Sequence, residues 1–192
     1  MLWIRREWHI QSMKTKTTIL YSSATDRAEP LARAAAEGAF EADGDVRLRR
    51  VPNWKGSAEV RVLQAEPTST DETPTIPEGS WDDLAWADAI IFGTPTSLGL
   101  PAPELAKFLV DGPPRSLTDK VVSSFAWGTS TFGEREMGLT ALNHALTRLG
   151  CIYVAPESAS GELPLGELEM VRRQAGRTVS IARLLIAGRA RA

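Results

Sequence analysis

Apolar runs of strand length alternate with longer amphipathic segments along most of the chain. Five short apolar runs predict β-strands at 17–21, 46–51, 89–94, 120–126 and 152–155. Apolar residues at spacings of three and four predict helices at 30–42, 80–87, 103–110, 137–149 and 167–187. The last helix carries one apolar stripe, formed by Leu168, Val171, Ala175, Val179, Ala182 and Ile186. This alternation of strands and helices indicates an α/β fold with a mostly parallel sheet.

Two segments do not fit this alternation. Residues 52–79 contain Pro67, Pro74 and Pro77 around a run of hydroxyl and acidic residues, and they show no sustained period. We interpret them as a long irregular excursion that either flanks an active site or is an insert, and we favour the insert. In residues 1–14 charges interrupt the apolar positions, so we expect an extension outside the fold. The remaining residues, 15–192, are predicted to form one domain.

Composition narrows the classes of partner. The chain has 22 basic and 24 acidic residues, a net charge of -2, and no block of one sign, so we expect no nucleic-acid partner. No apolar run reaches the roughly 18 residues that a membrane span needs, so no integral membrane association is expected. A single cysteine, Cys151, excludes an internal disulfide and a cysteine-based zinc site, which fits a cytoplasmic location. We expect Cys151 to be a buried apolar residue and His144 an exposed helix position.

Three loops carry the candidate chemistry, because ligands of open parallel sheets bind outside the carboxyl ends of the strands. After the first predicted strand comes SSATDRAEP (22–30), which offers hydroxyls and the free amides of a helix start, as a phosphate requires. The third and fourth strands lead into IIFGTPTSLGL (90–100) and FAWGTSTFGE (125–134). Both are rich in glycine and hydroxyl residues and poor in charge. This composition suits a planar, partly polar ligand and does not suit a metal.

These three loops, together with the helix that ends in TRLGCIYV, resemble the flavodoxin-like WrbA-type NAD(P)H:quinone oxidoreductases. The resemblance covers about 17–187, and its most specific part is GTPTSLG, which is similar to a family loop at one side of the FMN ring. It implies a doubly wound sheet of five parallel strands in the order 2-1-3-4-5, with helices on both faces. It also implies FMN as cofactor, NADPH or NADH as electron donor, a quinone or similar small molecule as acceptor, and a homodimer or homotetramer.

By this resemblance, three groups of residues bind the cofactor. They are Ser23, Thr25, Asp26, Arg27 and Ala28 around the phosphate, Pro95, Thr96, Ser97, Leu98 and Gly99 beside the ring and ribityl chain, and Trp127, Gly128, Thr129 and Ser130 along the other edge of the ring. Trp127 is the aromatic residue expected to lie against a flavin or quinone ring, and the alternative is that it packs on a neighbouring loop. No catalytic side chain is predicted, because in hydride transfer the flavin carries the chemistry.

The first loop departs from the family at Asp26, where the family has glycine. Asp26 and Glu29 have the spacing of a capping box, whose side chains satisfy the same helix amides that a phosphate uses. Pro30 leaves open whether the helix starts at Arg27 or later. Since a carboxylate beside a phosphate dianion also opposes binding, we expect weakened FMN affinity. The alternative is a flavodoxin-like binding or scaffold module that has lost FMN.

Overall fold

The computed structural model of the protein describes residues 14–22, 27–52, 76–113, 117–128, 132–156 and 166–190, with the Phe132 side chain left out. Its strands are β1 (Thr15–Tyr21), β2 (Gly44–Arg50), β3 (Ala89–Ser97), β4 (Leu100–Pro101), β5 (Val121–Trp127) and β6 (Ile152–Tyr153). Its helices are α1 (Ala28–Glu41), α2 (Trp81–Trp86), α3 (Pro103–Val110), α4 (Phe132–Arg148) and α5 (Glu167–Arg189). Every predicted strand and helix has a counterpart among these elements.

The sheet has the order β2-β1-β3-β5-β6, and neighbouring strands along this path run parallel. Ile91 of β3 lies between its partners Ile19 and Ser123, which places β3 at the centre of the sheet. The predicted α/β fold and its strand order 2-1-3-4-5 are therefore confirmed, with β4 as one additional strand. The short β4 lies off the main path and pairs antiparallel with β3.

Two hydrophobic cores lie on opposite faces of the sheet, because successive strand residues point to opposite sides. The first joins β1, β3 and β5 to α2, α3 and α4 through residues that include Leu20, Phe92, Val122, Leu84, Leu105 and Leu142. The second joins the same strands to α1 and α5 through residues that include Ile19, Ile91, Phe125, Ala32, Ala35 and Ala175. Helices thus cover both faces, and the strand ends form the edge where loops meet.

Several predicted boundaries are wrong. β3 continues to Ser97, three residues beyond its predicted end, because Thr96 and Ser97 find new backbone partners in β4. Helix α4 starts at Phe132 instead of 137, and β6 ends at Tyr153 instead of 155. These ends depend on partners distant in sequence, which local periodicity does not report.

The predicted stripe of α5 is confirmed in its middle and wrong at its ends. Val171, Ala175, Val179 and Ala182 are buried, whereas Leu168 and Ile186 are exposed. The helix has 23 residues, about 34 Å at 1.5 Å per residue, and so extends past the strands it covers. The same face also buries polar side chains that the stripe omitted. Thr178 donates to the Ser123 hydroxyl at 2.8 Å, and Gln174 donates to the Val154 carbonyl at 2.7 Å.

Residues 1–13 and 53–75 lie outside the described residues, so the extension and the body of the excursion stay predictions. The end of the excursion is described and runs beside β2. The amide of Arg50 donates to the Pro77 carbonyl at 3.0 Å, and the Gly79 amide donates to the Arg50 carbonyl at 2.7 Å. Within the described part of the chain, no helix is both long and apolar enough to cross a membrane.

Candidate functional site

The carboxyl ends of β1, β3 and β5 meet at one edge of the sheet. Gly93 of β3 lies beside Tyr21 of β1 on one side and Phe125 of β5 on the other. Two residues further, Pro95 is paired with Trp127, and the Ser22 amide donates to the Gly93 carbonyl at 3.0 Å. The described parts of the three predicted loops therefore start from adjacent positions, as the sequence predicted.

No side chain of the described residues caps the start of helix α1. Its N-cap residue is Arg27, whose side chain makes no capping hydrogen bond, and Ala28 is the first helical residue. Pro30 is then the third helical residue, where a missing N–H forfeits no helical hydrogen bond. Within the described part of the chain no side chain accepts from the amides of this first turn, and a helix start at the carboxyl end of a strand binds anions in many α/β proteins.

The predicted capping box of Asp26 and Glu29 stays a prediction. Within the described residues, Oε1 of Glu29 accepts hydrogen bonds from Nε and Nη2 of Arg33, at 2.8 and 2.6 Å, and so Glu29 pairs along the helix. A glutamate and an arginine four residues apart lie on one helix face, and this pairing competes with capping. Asp26 itself lies outside the described residues, as do Ser23 and Thr25.

Ser22 is a candidate residue that the sequence reasoning missed. It follows β1 directly and is fully buried, and its hydroxyl has no hydrogen-bond partner among the described residues. Burying a hydroxyl without a partner is unfavourable, so such a group deserves a functional explanation. The signal in the sequence was its place as the first residue of SSATDRAEP, but the resemblance to the family began one residue later.

Arg27 is held by a carboxylate from another helix. Its Nη2 lies 3.1 Å from Oε2 of Glu167, the first residue of α5. The other oxygen of Glu167 accepts from Nη1 of Arg135 on α4, at 3.0 Å. One carboxylate thus bridges two guanidinium groups at the start of three helices. Because the Arg27 and Glu167 side chains are both exposed, their ion pair contributes little to stability.

The second predicted loop is a β-hairpin. β3 and β4 are joined by Leu98 and Gly99, which both have positive φ, +52° and +73°. Two such residues in a two-residue connection are typical of a type I′ turn, which favours asparagine and glycine. Leucine in the left-handed region costs roughly 1–2 kcal/mol. The hairpin therefore holds a strained, exposed leucine at its tip.

The base of the hairpin is fixed by its own threonines. The Thr94 hydroxyl accepts from the Ala102 amide at 2.9 Å and donates to the Pro95 carbonyl at 2.9 Å. Thr96 is buried and faces α4, since a Cβ at Gly138 would lie 2.5 Å from its methyl group. This packing favours a structural role for the Thr96 side chain. Ser97, Leu98 and Leu100 are the exposed residues of this loop.

The expectation that the Trp127 ring lies against a flavin or quinone is wrong for this structure. Its side chain is only 1% exposed and belongs to the core beneath α1, with its ring 5.8 Å from that of Phe125. Trp127 occupies the same side of the sheet as Phe125, because residues two apart on a strand point the same way. Gly128 follows at the sheet edge, and Thr129 and Ser130 lie outside the described residues.

Cys151 and His144, the cysteine and the histidine among the described residues, lie outside the three candidate loops. Cys151 is buried next to β6, as predicted, and burial raises the pKa of its thiol to about 11. A neutral buried thiol is a poor nucleophile. His144 is exposed on α4, also as predicted. No cluster of three or more His, Cys, Asp or Glu side chains suited to a metal ion occurs among the described residues.

An apolar cavity of about 480 Å³ lies elsewhere, between α3 and α4. Leu109, Leu117, Leu142 and Ala145 are among its lining residues, and none of the predicted site residues lines it. The predicted site is instead an open edge of loops, as is usual where a doubly wound sheet binds its ligand.

The doubly wound sheet and its loop-lined edge define a flavodoxin-like α/β protein. The chain is 33% identical over 159 residues to an NAD(P)H dehydrogenase (quinone) of Paracoccus denitrificans, covering 80% of this chain and 74% of the relative. An enzyme of the same name from Rhodopseudomonas palustris is 33% identical over 158 residues, covering 80% and 77%. No protein-family model matches the chain.

The structure is similar to that of a WrbA-like flavodoxin protein from Agrobacterium tumefaciens. The two have a TM-score of 0.64 and 28% sequence identity, over 89% of this chain and 99% of the other. The chain belongs to the WrbA-type family of flavodoxin-like NAD(P)H dehydrogenases (quinone).

Proposed function

We propose that this member of the family is an NAD(P)H:quinone oxidoreductase and that FMN is its flavin. Family membership implies a flavin and a nicotinamide donor, and the choice of FMN is our proposal. One observation carries that choice: among the described residues no side chain caps helix α1, and the buried hydroxyl of Ser22 has no hydrogen-bond partner. Free helix amides and a spare hydroxyl are the donors that a terminal phosphate needs.

The residues present fit FMN. The phosphate would be held by Ser22, by the amides of Arg27 and Ala28, and by Ser23, Thr25 and Asp26, which lie outside the described residues. Arg27 would add a positive charge. The loops at Pro95–Gly99 and Trp127–Ser130 would flank the ring; Trp127 would contribute its backbone only, since its side chain is buried. When bound, the flavin accepts a hydride from NADPH or NADH and passes two electrons to the quinone. The protein has to position the reactants and exclude water, which requires no acid–base pair.

Glu167 supports the prediction that the phosphate is bound weakly. A phosphate dianion near Arg27 would compete with the Glu167 carboxylate for the same guanidinium. This observation also favours the second candidate, a flavodoxin-like binding module that no longer holds FMN. A cytoplasmic location and a homodimer or homotetramer complete the proposal, on the basis of the family resemblance.

The test is a flavin titration followed by a rate measurement. Flavin-free protein is titrated with FMN and with riboflavin, and reduction of benzoquinone by NADPH and by NADH is measured at saturating FMN. We expect FMN to bind at least about tenfold more tightly than riboflavin, because phosphate contacts are charge-assisted. Rates at the buffer level with both donors would refute the enzyme and favour the binding module. Equal affinities for the two flavins would refute the phosphate site.

A further inference from the structure

Three large apolar side chains lie exposed beside the candidate site. Leu98 is 84%, Leu100 61% and Met137 63% exposed. The fold brings them to one part of the molecule. Gly99 lies between the two leucines in sequence and packs on Met137, since a Cβ at Gly99 would lie 3.2 Å from the Met137 Cβ. We name these three residues the apolar lip. Isolated exposed apolar residues are common, but a contiguous group of them marks a binding surface.

The backbone conformation of the lip also indicates a binding surface. Leu98 has a φ of +52°, in the region that asparagine and glycine tolerate and a bulky residue does not. A leucine there loses stability and exposes its side chain to water, so neither folding nor solubility explains it. Strain of this kind concentrates at functional sites, and the inference runs from the observed strain to a function.

The position of the lip indicates which ligand it binds. The lip lies on the hairpin that continues β3, the central strand, at the edge where the three candidate loops meet. Its side chains carry no charge and no hydrogen-bonding group apart from a thioether, so hydrocarbon is the chemistry that they bind.

We propose that the apolar lip binds the alkyl or isoprenyl tail of a quinone, and that Leu98 makes the enzyme prefer lipophilic quinones to tailless ones. This inference rests on the proposed function and names its substrate class. The tail lies on the lip while the quinone ring reaches the site, so removing apolar side chains from the lip lowers the preference for a tail.

The experiment compares two acceptors in the flavin-loaded protein: a methylated dimethoxybenzoquinone with a decyl chain, and the same ring without it. The measured quantity is the ratio of kcat/KM for the decyl quinone to kcat/KM for the tailless one. We expect a ratio well above one in the natural protein and a fall of about fivefold in Leu98→Asn, from the lost apolar contact. Met137→Gln, on a helix with ordinary backbone, should lower the ratio in the same direction.

Val110→Asn is the matched control. Val110 is 81% exposed at the end of α3, outside the candidate site, so its substitution should leave the ratio unchanged. Leu98→Asn should also raise the midpoint of thermal unfolding, because asparagine tolerates positive φ. A more stable protein with a lower ratio separates loss of the tail contact from damage to the fold.

Two results would overturn the inference and leave the proposed function intact. One is reduction of the tailless quinone with no preference for the decyl chain. The other is a change of molecular mass in Leu98→Asn and Met137→Gln, measured by light scattering, with an unchanged ratio, which would make the lip a contact between subunits. If neither quinone is reduced, the proposed function and this inference both fall.

Discussion

The starts of α1 and α2 both follow strands of the same sheet, but among the described residues only the start of α2 is closed by its own side chains. At α2, Ser80 accepts from the Asp83 amide at 3.3 Å, and Asp83 accepts from the Ser80 amide at 3.1 Å. At α1, the N-cap side chain of Arg27 makes no such bond. A helix start that satisfies itself has no donors left for a ligand, whereas an open one does. The difference separates a structural helix start from a candidate phosphate site.

The charged side chains around the starts of α1 and α2 also differ. Asp83 pairs with Arg47 at 3.1 Å and Arg49 at 3.2 Å, so the closed start is also electrically neutralised by β2. Arg47 and Arg49 of β2 are thus paired with Asp83 and offer no anion site at α2. At α1 the described carboxylates near the helix start are Glu29 in the first turn, which pairs with Arg33, and the exposed Glu167, which pairs with Arg27.

The largest expected effect comes from removing the side-chain cap at the start of α2. Asp83→Ala removes the reciprocal cap and leaves two arginines without their carboxylate, so we expect a loss of about 2–4 kcal/mol in the free energy of unfolding. Urea denaturation measures it. The neighbouring Asp82→Ala is the control, because Asp82 is exposed and should matter by less than about 0.5 kcal/mol. Equal losses in the two variants would show that the cap adds nothing.

The next effect concerns Asp26, which precedes α1 in the sequence. Asp26→Gly removes a carboxylate from the phosphate loop and should tighten FMN binding about tenfold, while riboflavin gains little. Parallel titrations with the two flavins measure the difference. An unchanged affinity for both flavins would place the Asp26 carboxylate away from the phosphate.

A pair of serine substitutions tests the comparison directly. Ser22→Ala should weaken FMN by about 1 kcal/mol with little loss of stability, because no described hydrogen bond is removed. Ser80→Ala should cost about 1 kcal/mol of stability and leave FMN affinity unchanged, because it removes a cap and no ligand contact. Each variant is the control for the other. If Ser22→Ala lost stability and kept its FMN affinity, the hydroxyl would have a structural role.

The smallest effect is a dependence of stability on pH at the closed start. Burial by itself raises the pKa of Asp83, but hydrogen bonds from Arg49 and Ser80 outweigh burial and hold the pKa below its ordinary value. Its stabilisation is therefore fully present above the unfolded pKa of about 3.9 and is lost as the pH falls through the folded pKa. We expect the natural protein to lose more stability than Asp83→Asn on acidification below about pH 4. Parallel slopes in urea titrations of the two proteins would contradict this.

Much of the fold could be predicted from sequence because the signals are local. The stripe through Val171, Ala175 and Val179 and the apolar run of β3 each report one buried face. The predictions failed where a partner distant in sequence determines the local structure. Ser97 belongs to a strand because it pairs with Leu100 of β4, and the Trp127 side chain is buried because it packs in the core beneath α1. Of the candidate site, the sequence located the three loops but not the side chains that face a ligand.

By itself the sequence determined the order of strands and helices, the edge at which their loops gather and, through its motifs, the family. Only the tertiary structure decided which described helix start lacks a side-chain cap, which described hydroxyl is buried without a partner, and which apolar side chains are exposed. The reason is physical. Periodicity depends on neighbours three or four residues away, whereas the strand that contacts Ser22 and the helix that holds Glu167 against Arg27 are far off along the chain.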